Sequence, residues 1–108
     1  MTFSALENLL KTIEERKTSD ADNSYTASLL ADGPEKPIRK LVEETTEFLI
    51  DVLKGDTKGA TKEAADVLYH YLVLLAAANI SFSDVLKELE SREGVSGHNE
   101  KRNRYTIS

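Results

Sequence analysis

Apolar positions along the chain recur at intervals of three and four residues, the period of helices, and no segment alternates apolar with polar residues as a half-buried strand would. Phe3, Leu6, Leu10 and Ile13 make the first stripe, and their spacing predicts a helix from about Ser4 to Lys17. Ser4-Ala5-Leu6-Glu7 has the form of a capping box, in which hydroxyl and carboxylate satisfy opposite backbone donors. The polar residues Thr18–Ser24 then form a connection, and residues 24–30 (SYTASLL) predict a short helical turn that Asp32-Gly33-Pro34 brings to an end. A second helix is expected from Pro37, whose missing N–H would be unpaired there anyway, to Lys54, with Gly55 as its C-terminal cap. On it Ile38, Leu41, Val42, Thr45, Leu49 and Val52 fall on one side, and Lys40, Glu43, Glu44, Glu47 and Asp51 on the other. A third helix is expected from Lys58 to Ala78, closed by Asn79 in a left-handed conformation. A shorter fourth follows Ser83, with Val85, Leu86 and Leu89 expected to be buried and Gly94 and Gly97 ending it. The pattern thus predicts an all-α bundle of about four helices over residues 1–94, and sets residues 95–108, with Lys101, Arg102 and Arg104, apart as a polar tail.

The third helix carries an anomaly. From Val67 onward it is almost wholly apolar, which predicts burial, yet it begins with Glu63 and Asp66 and holds His70 one turn later. Glu63 and Asp66 are three apart and share a helix face, and His70 extends the row. Glu44 and Glu47 on the second helix have the same spacing, with Glu43 beside them. Helices joined by a short turn around Asp56 pack antiparallel, which can set one carboxylate pair opposite the other. Four facing carboxylates repel one another, and a hard divalent cation such as Mg2+, which takes oxygen ligands and keeps open positions for phosphate oxygens, relieves the repulsion.

Each element also has an ordinary explanation. Acids on the second helix suit a solvated face, with Lys40 pairing to them. Glu63 and Asp66 suit the positive end of a helix dipole, and His70 alone fits a hydrogen-bonded core histidine. The two pairs of equal spacing on consecutive helices are what point to a metal site. A di-iron bundle is disfavoured, since it wants Glu-x-x-His twice and the second helix has no His.

Composition narrows the chemistry. The 108 residues fit one domain, for which a dimer interface would help bury more surface. The absence of Cys excludes disulfides, thiolate zinc sites and a cysteine nucleophile. A net charge of −5 argues against nucleic acid as a partner, and means that phosphates would have to be met through metal ions. No basic segment precedes an apolar run at the N-terminus, and the run Val67–Ala78 is too short to span a bilayer, so no membrane association is expected and a cytoplasmic location is.

With these residues in view, Glu43–Glu47 (EETTE) followed by Glu63–Asp66 (EAAD) resembles the EExxE…ExxD signature of the all-α nucleotide pyrophosphohydrolases. Glu15-Arg16-Lys17, SYTASLL, residues 40–47 (KLVEETTE) and residues 63–75 (EAADVLYHYLVLL), in that order, are similar more narrowly to the phosphoribosyl-ATP pyrophosphohydrolases of histidine biosynthesis, from about Leu6 to Arg92. Two departures stand out. Leu41-Val42 replaces a Val-Gly, and Phe48, Leu49 and Ile50 replace small residues, changes that bear on helix packing. The resemblance implies Mg2+-dependent hydrolysis of the α–β phosphoanhydride of 1-(5-phosphoribosyl)-ATP to 1-(5-phosphoribosyl)-AMP and pyrophosphate. It also implies a bundle whose four-helix core is completed by homodimerisation. Glu44, Glu47, Glu63 and Asp66 are then the metal ligands, with Glu43 a further ligand, a group orienting the ligands, or a base that orients water. Arg16, Lys17, Ser24, Tyr25, Thr26, Lys40 and His70 are the expected substrate contacts. For Lys40, pairing with Glu43 or Glu44 is an equal alternative. Within the wider superfamily a housecleaning nucleoside triphosphate or dUTP pyrophosphohydrolase is the competing activity, and a noncatalytic helical interaction module the competing class.

Overall fold

The computed structural model describes residues 2–22 and 24–94, and all regular structure among them is helical: α1 (Ser4–Arg16), α2 (Tyr25–Leu30), α3 (Glu35–Lys54), α4 (Thr57–Ala77) and α5 (Phe82–Ser91). The expected polar tail, residues 95–108, and Gly97 within it lie outside the described residues.

α3 and α4 form the central hairpin. Its turn is short because Gly55 takes φ +76°, a left-handed conformation that a side chain would resist, and its N–H closes onto the Val52 carbonyl. Asp56 then caps α4, its carboxylate accepting from the Gly59 N–H at 2.9 Å. α4 is the hub: α1 and α2 also pack on it. The core is built where α4 is most apolar, with Leu72, Val73 and Leu75 buried against Ile13 of α1 and Leu29 of α2. Leu6, Leu9 and Leu10 pack around them. Asn79 adopts the expected left-handed conformation, φ 58°, and turns the chain into α5, where Ser81 is the N-cap.

Several local expectations are corrected. The capping box is not formed: Phe3, not Ser4, is the N-cap, no side chain caps the helix, and the Ser4 hydroxyl instead lies 3.3 Å from that of Thr2. Ser4 is already helical, so its side chain is past the position from which it could reach the orphan donors. Phe3 is exposed rather than part of the stripe. α3 begins two residues before Pro37, with Pro34 as N-cap; the first turn closes through Ile38 N–H to the Pro34 carbonyl, so the missing N–H of Pro37 still costs nothing. In α5, Val85 is half-buried but Leu86 and Leu89 are exposed, because α5 meets the core only at its start, through Phe82 and Val85.

α3 differs most from its pattern. The residues turned inward are Leu41, Glu44, Thr45, Phe48 and Asp51, while Ile38, Val42 (61% exposed), Leu49 (53%) and Val52 lie open. The apolar arc is wider than one neighbouring helix can cover, and α4 takes the edge that includes Glu44. No single helix among the described residues is long and apolar enough to cross a membrane.

Candidate metal centre

The turn at Gly55 sets the two carboxylate pairs facing each other. One oxygen each from Glu44 on α3 and from Glu63 and Asp66 on α4 lie within 4.8 Å of one another. Glu47, one turn beyond Glu44, is close enough to add its repulsion to Glu63. Four residues that sequence spacing singled out therefore gather at one place on the hairpin.

Glu63 shows the strain of this arrangement. Its Oε2 is buried with no hydrogen-bond donor. Its carboxyl is pushed up to about 7, first because its proton can be shared with Glu44, then by burial and by the charge of Glu47. Near neutrality the cluster thus holds a proton that ordinary carboxylates would have lost, in the place where a cation would neutralise it better. The donor set is entirely hard oxygen, one oxygen has no partner, and the spacing is close to what a small shift of rotamers would bring around one ion. These residues fit a hard divalent cation, and fit a soft one poorly.

The neighbouring groups are placed by α2 and α3. Lys40 Nζ lies 3.2 Å from Glu43 Oε2 and 3.6 Å from Glu44 Oε1. Glu43 is not among the three residues whose oxygens converge, and its side chain is 59% exposed against 14% for Glu44. His70 is 5% exposed, and its Nδ1 is buried without a partner. Burial lowers its pKa, opposed by the charges of Glu44 and Asp66. Its ring meets those of Tyr69 and Tyr25 edge-on, with centroids 4.9 and 6.4 Å away, and Tyr25 lies nearly parallel to Tyr69. Tyr25 is exposed, so this aromatic group opens to solvent beside Lys40.

Several of the expected substrate contacts also hold the fold together. The Ser24 hydroxyl caps α2, accepting from the Ala27 N–H at 3.2 Å. The Thr26 hydroxyl is hydrogen-bonded to that of Tyr69, which fastens α2 to α4. Lys17 pairs with Glu14 at 3.4 Å and lines a cavity of about 550 Å³ with Leu72, Leu75 and Asn79. Leu72 and Leu75 are each nine residues beyond Glu63 and Asp66, about 14 Å along the helix axis. Within one chain, therefore, Lys17 at the end of α1 lies toward the other half of α4 from the carboxylates, and Arg16 before it is exposed. That cavity has an apolar floor and gathers no metal-ligating set, so its size does not make it the seat of chemistry. Tyr69 was not singled out from the sequence. The available signal was a phenol next to a histidine in an otherwise apolar helix, since a half-buried hydroxyl needs a partner.

Known proteins resemble this chain over most of its length. The family model described as phosphoribosyl-ATP pyrophosphohydrolase matches residues 6–93. A protein of Dinoroseobacter shibae named phosphoribosyl-ATP pyrophosphatase is 54% identical over 102 residues, covering 94% of this chain and 100% of that one. Proteins of the same name from Jannaschia sp. and Ruegeria pomeroyi are each 52% identical over 99 residues, covering 92% of this chain and 97% and 94% of their own. The match takes in both halves of the hairpin and every carboxylate on it, and the chain belongs to the phosphoribosyl-ATP pyrophosphohydrolase family.

Proposed function

We propose that this chain hydrolyses the α–β phosphoanhydride of 1-(5-phosphoribosyl)-ATP, releasing pyrophosphate and 1-(5-phosphoribosyl)-AMP, a step of histidine biosynthesis, with Mg2+ as its cofactor. The observation that carries the reading is the convergence of Glu44, Glu63 and Asp66, with Glu47 beside them, in a member of this family. A bound divalent cation would supply charge neutralisation for the departing pyrophosphate and a more acidic water. Glu44, Glu47, Glu63 and Asp66 would hold it. Their part is positional: the hairpin fixes the oxygens before substrate arrives, so little reorganisation is left for the reaction itself. Lys40 and Tyr25 stand at the open side of the cluster, where an ammonium can meet a phosphate and a ring can lie on a base. His70 stands behind them, buried, and orients its neighbours rather than receiving solvent.

The same reading includes a homodimer. The open face of α3, with Ile38, Val42, Leu49 and Val52, is supporting ground, as a second copy would bury it and complete a four-helix core. A second copy would also be a route by which Arg16 and Lys17 reach the site. The reading places the protein in the cytoplasm, without nucleic acid or membrane partners, consistent with its net charge of −5.

The test is pyrophosphate release from phosphoribosyl-ATP, measured with Mg2+ and with chelator, beside a panel of nucleoside triphosphates including dUTP. Turnover of phosphoribosyl-ATP that vanishes with chelator is expected. Turnover of the panel without turnover of phosphoribosyl-ATP would refute the assignment in favour of a housecleaning enzyme.

A further inference from the structure

Glu43 and Glu44 are consecutive, yet they face different surroundings. Glu44 turns into the carboxylate cluster, and Glu43 turns to solvent. Lys40, one turn earlier, touches both, at 3.6 Å and 3.2 Å. Among the described residues it is the cation that ion-pairs a member of the cluster. Pairs at these spacings on an open helix face are common and weak. This one differs because one of its two acids has a second possible employer. Glu44 can neutralise Lys40 or help to bind a divalent ion, and an ammonium this close to that ion would be repelled by it. Glu43 is not among the three residues whose oxygens converge.

We propose that Lys40 is a displaceable counter-cation: it neutralises Glu44 in the metal-free site, leaves Glu44 when a divalent ion arrives, and passes to a phosphate oxygen of the substrate, with Glu43 as the anchor that keeps it within reach. The proposal rests on the metal-dependent reading above. Its chemistry is that of a flexible four-carbon stem carrying a compact charge, which can move a few ångströms between oxygens without moving the helix. Glu43 thereby acquires a positioning role rather than that of a metal ligand.

The experiment measures Mn2+ affinity from the free-ion electron paramagnetic resonance signal, and kcat and KM for pyrophosphate release, in the full chain and in Lys40→Met, Lys40→Arg and Glu43→Gln. Lys40→Met should bind Mn2+ more tightly, by about 3- to 10-fold, since a like charge has gone. Its KM should rise by about tenfold or more, since a charge-assisted phosphate contact has gone. Lys40→Arg should restore part of the KM, and Glu43→Gln should raise KM while leaving Mn2+ affinity within about twofold, as expected of an anchor that binds no metal. Unchanged or weaker Mn2+ binding in Lys40→Met would overturn the proposal. So would a loss of Mn2+ affinity in Glu43→Gln, which would make Glu43 a ligand. The Mn2+ measurements need no turnover. A chain that binds Mn2+ as expected and yet releases no pyrophosphate would therefore refute the substrate assignment while the exchange at Glu44 stood.

Discussion

Glu63 should make cation binding depend on pH in a range where ordinary carboxylates are silent. Its carboxyl is held at about 7, against an ordinary value of 4.5, by Glu44, burial and Glu47. A cation must displace that proton, so affinity should climb with pH and level off above about 7. Between pH 8 and pH 6 the ionised fraction of such a group drops from about nine-tenths to about one-tenth, and Mn2+ affinity should fall about tenfold with it. A carboxyl at its ordinary value would be more than nine-tenths ionised at both pH values and would give almost no change. Stability of the metal-free chain should show the opposite slope. The folded form holds a proton on Glu63 that the unfolded chain releases near 4.5, so this contribution is complete below 4.5 and is lost as pH rises through about 7. Isothermal titration with Mn2+ at pH 6, 7 and 8, together with melting curves in chelator over the same range, reads both effects. His70 is a neighbour that also titrates, but burial moves it downward, away from this window, and Glu63→Gln separates the two. A wild-type Mn2+ affinity that is flat from pH 6 to 8, or a slope that survives Glu63→Gln, would refute the assignment of the proton to Glu63.

Three further outcomes follow from the packing. Leu29→Ala, at a side chain 1% exposed between α2 and α4, should cost about 2–5 kcal/mol in urea unfolding. Gly55→Ala should cost about 1 kcal/mol by the same measurement, from backbone conformation alone, because a methyl there would touch nothing within 4 Å. Val42→Asp on the open face of α3 should leave the helical circular dichroism intact and shift the particle from dimer to monomer in light scattering, if a second copy covers that face as proposed.

Much of this was legible in the sequence because helices translate spacing into direction. Three-residue intervals at Glu44/Glu47 and Glu63/Asp66, joined by a Gly55 turn, fix which side chains can meet before any coordinates are known. Gly55 and Asn79 were readable for a related reason: few residues tolerate a left-handed backbone. What escaped was decided by neighbours rather than by local pattern. Ser4-Ala5-Leu6-Glu7 fits a capping box as a string, but the helix begins one residue too early for it. The arc of α3 is apolar over more than α4 can cover, so the pattern could not say which edge would be turned inward. Thr26 and Tyr69 are 43 residues apart, and nothing in either segment foretells that their hydroxyls meet. Lys17 belongs with the site by motif, and the sequence does not foretell that within one chain the packing of α1 sets it beside Leu72 and Leu75.

The two-residue joint between α3 and α4 has a consequence for how the molecule can diversify. Nineteen positions separate Glu44 from Glu63, and all four acids ride on a single antiparallel pair. Such local contacts form early and at small entropic cost when a chain folds. The remaining segments are attached around that pair, so insertions and substitutions in α1 or α5 can accumulate while the acidic platform is inherited intact.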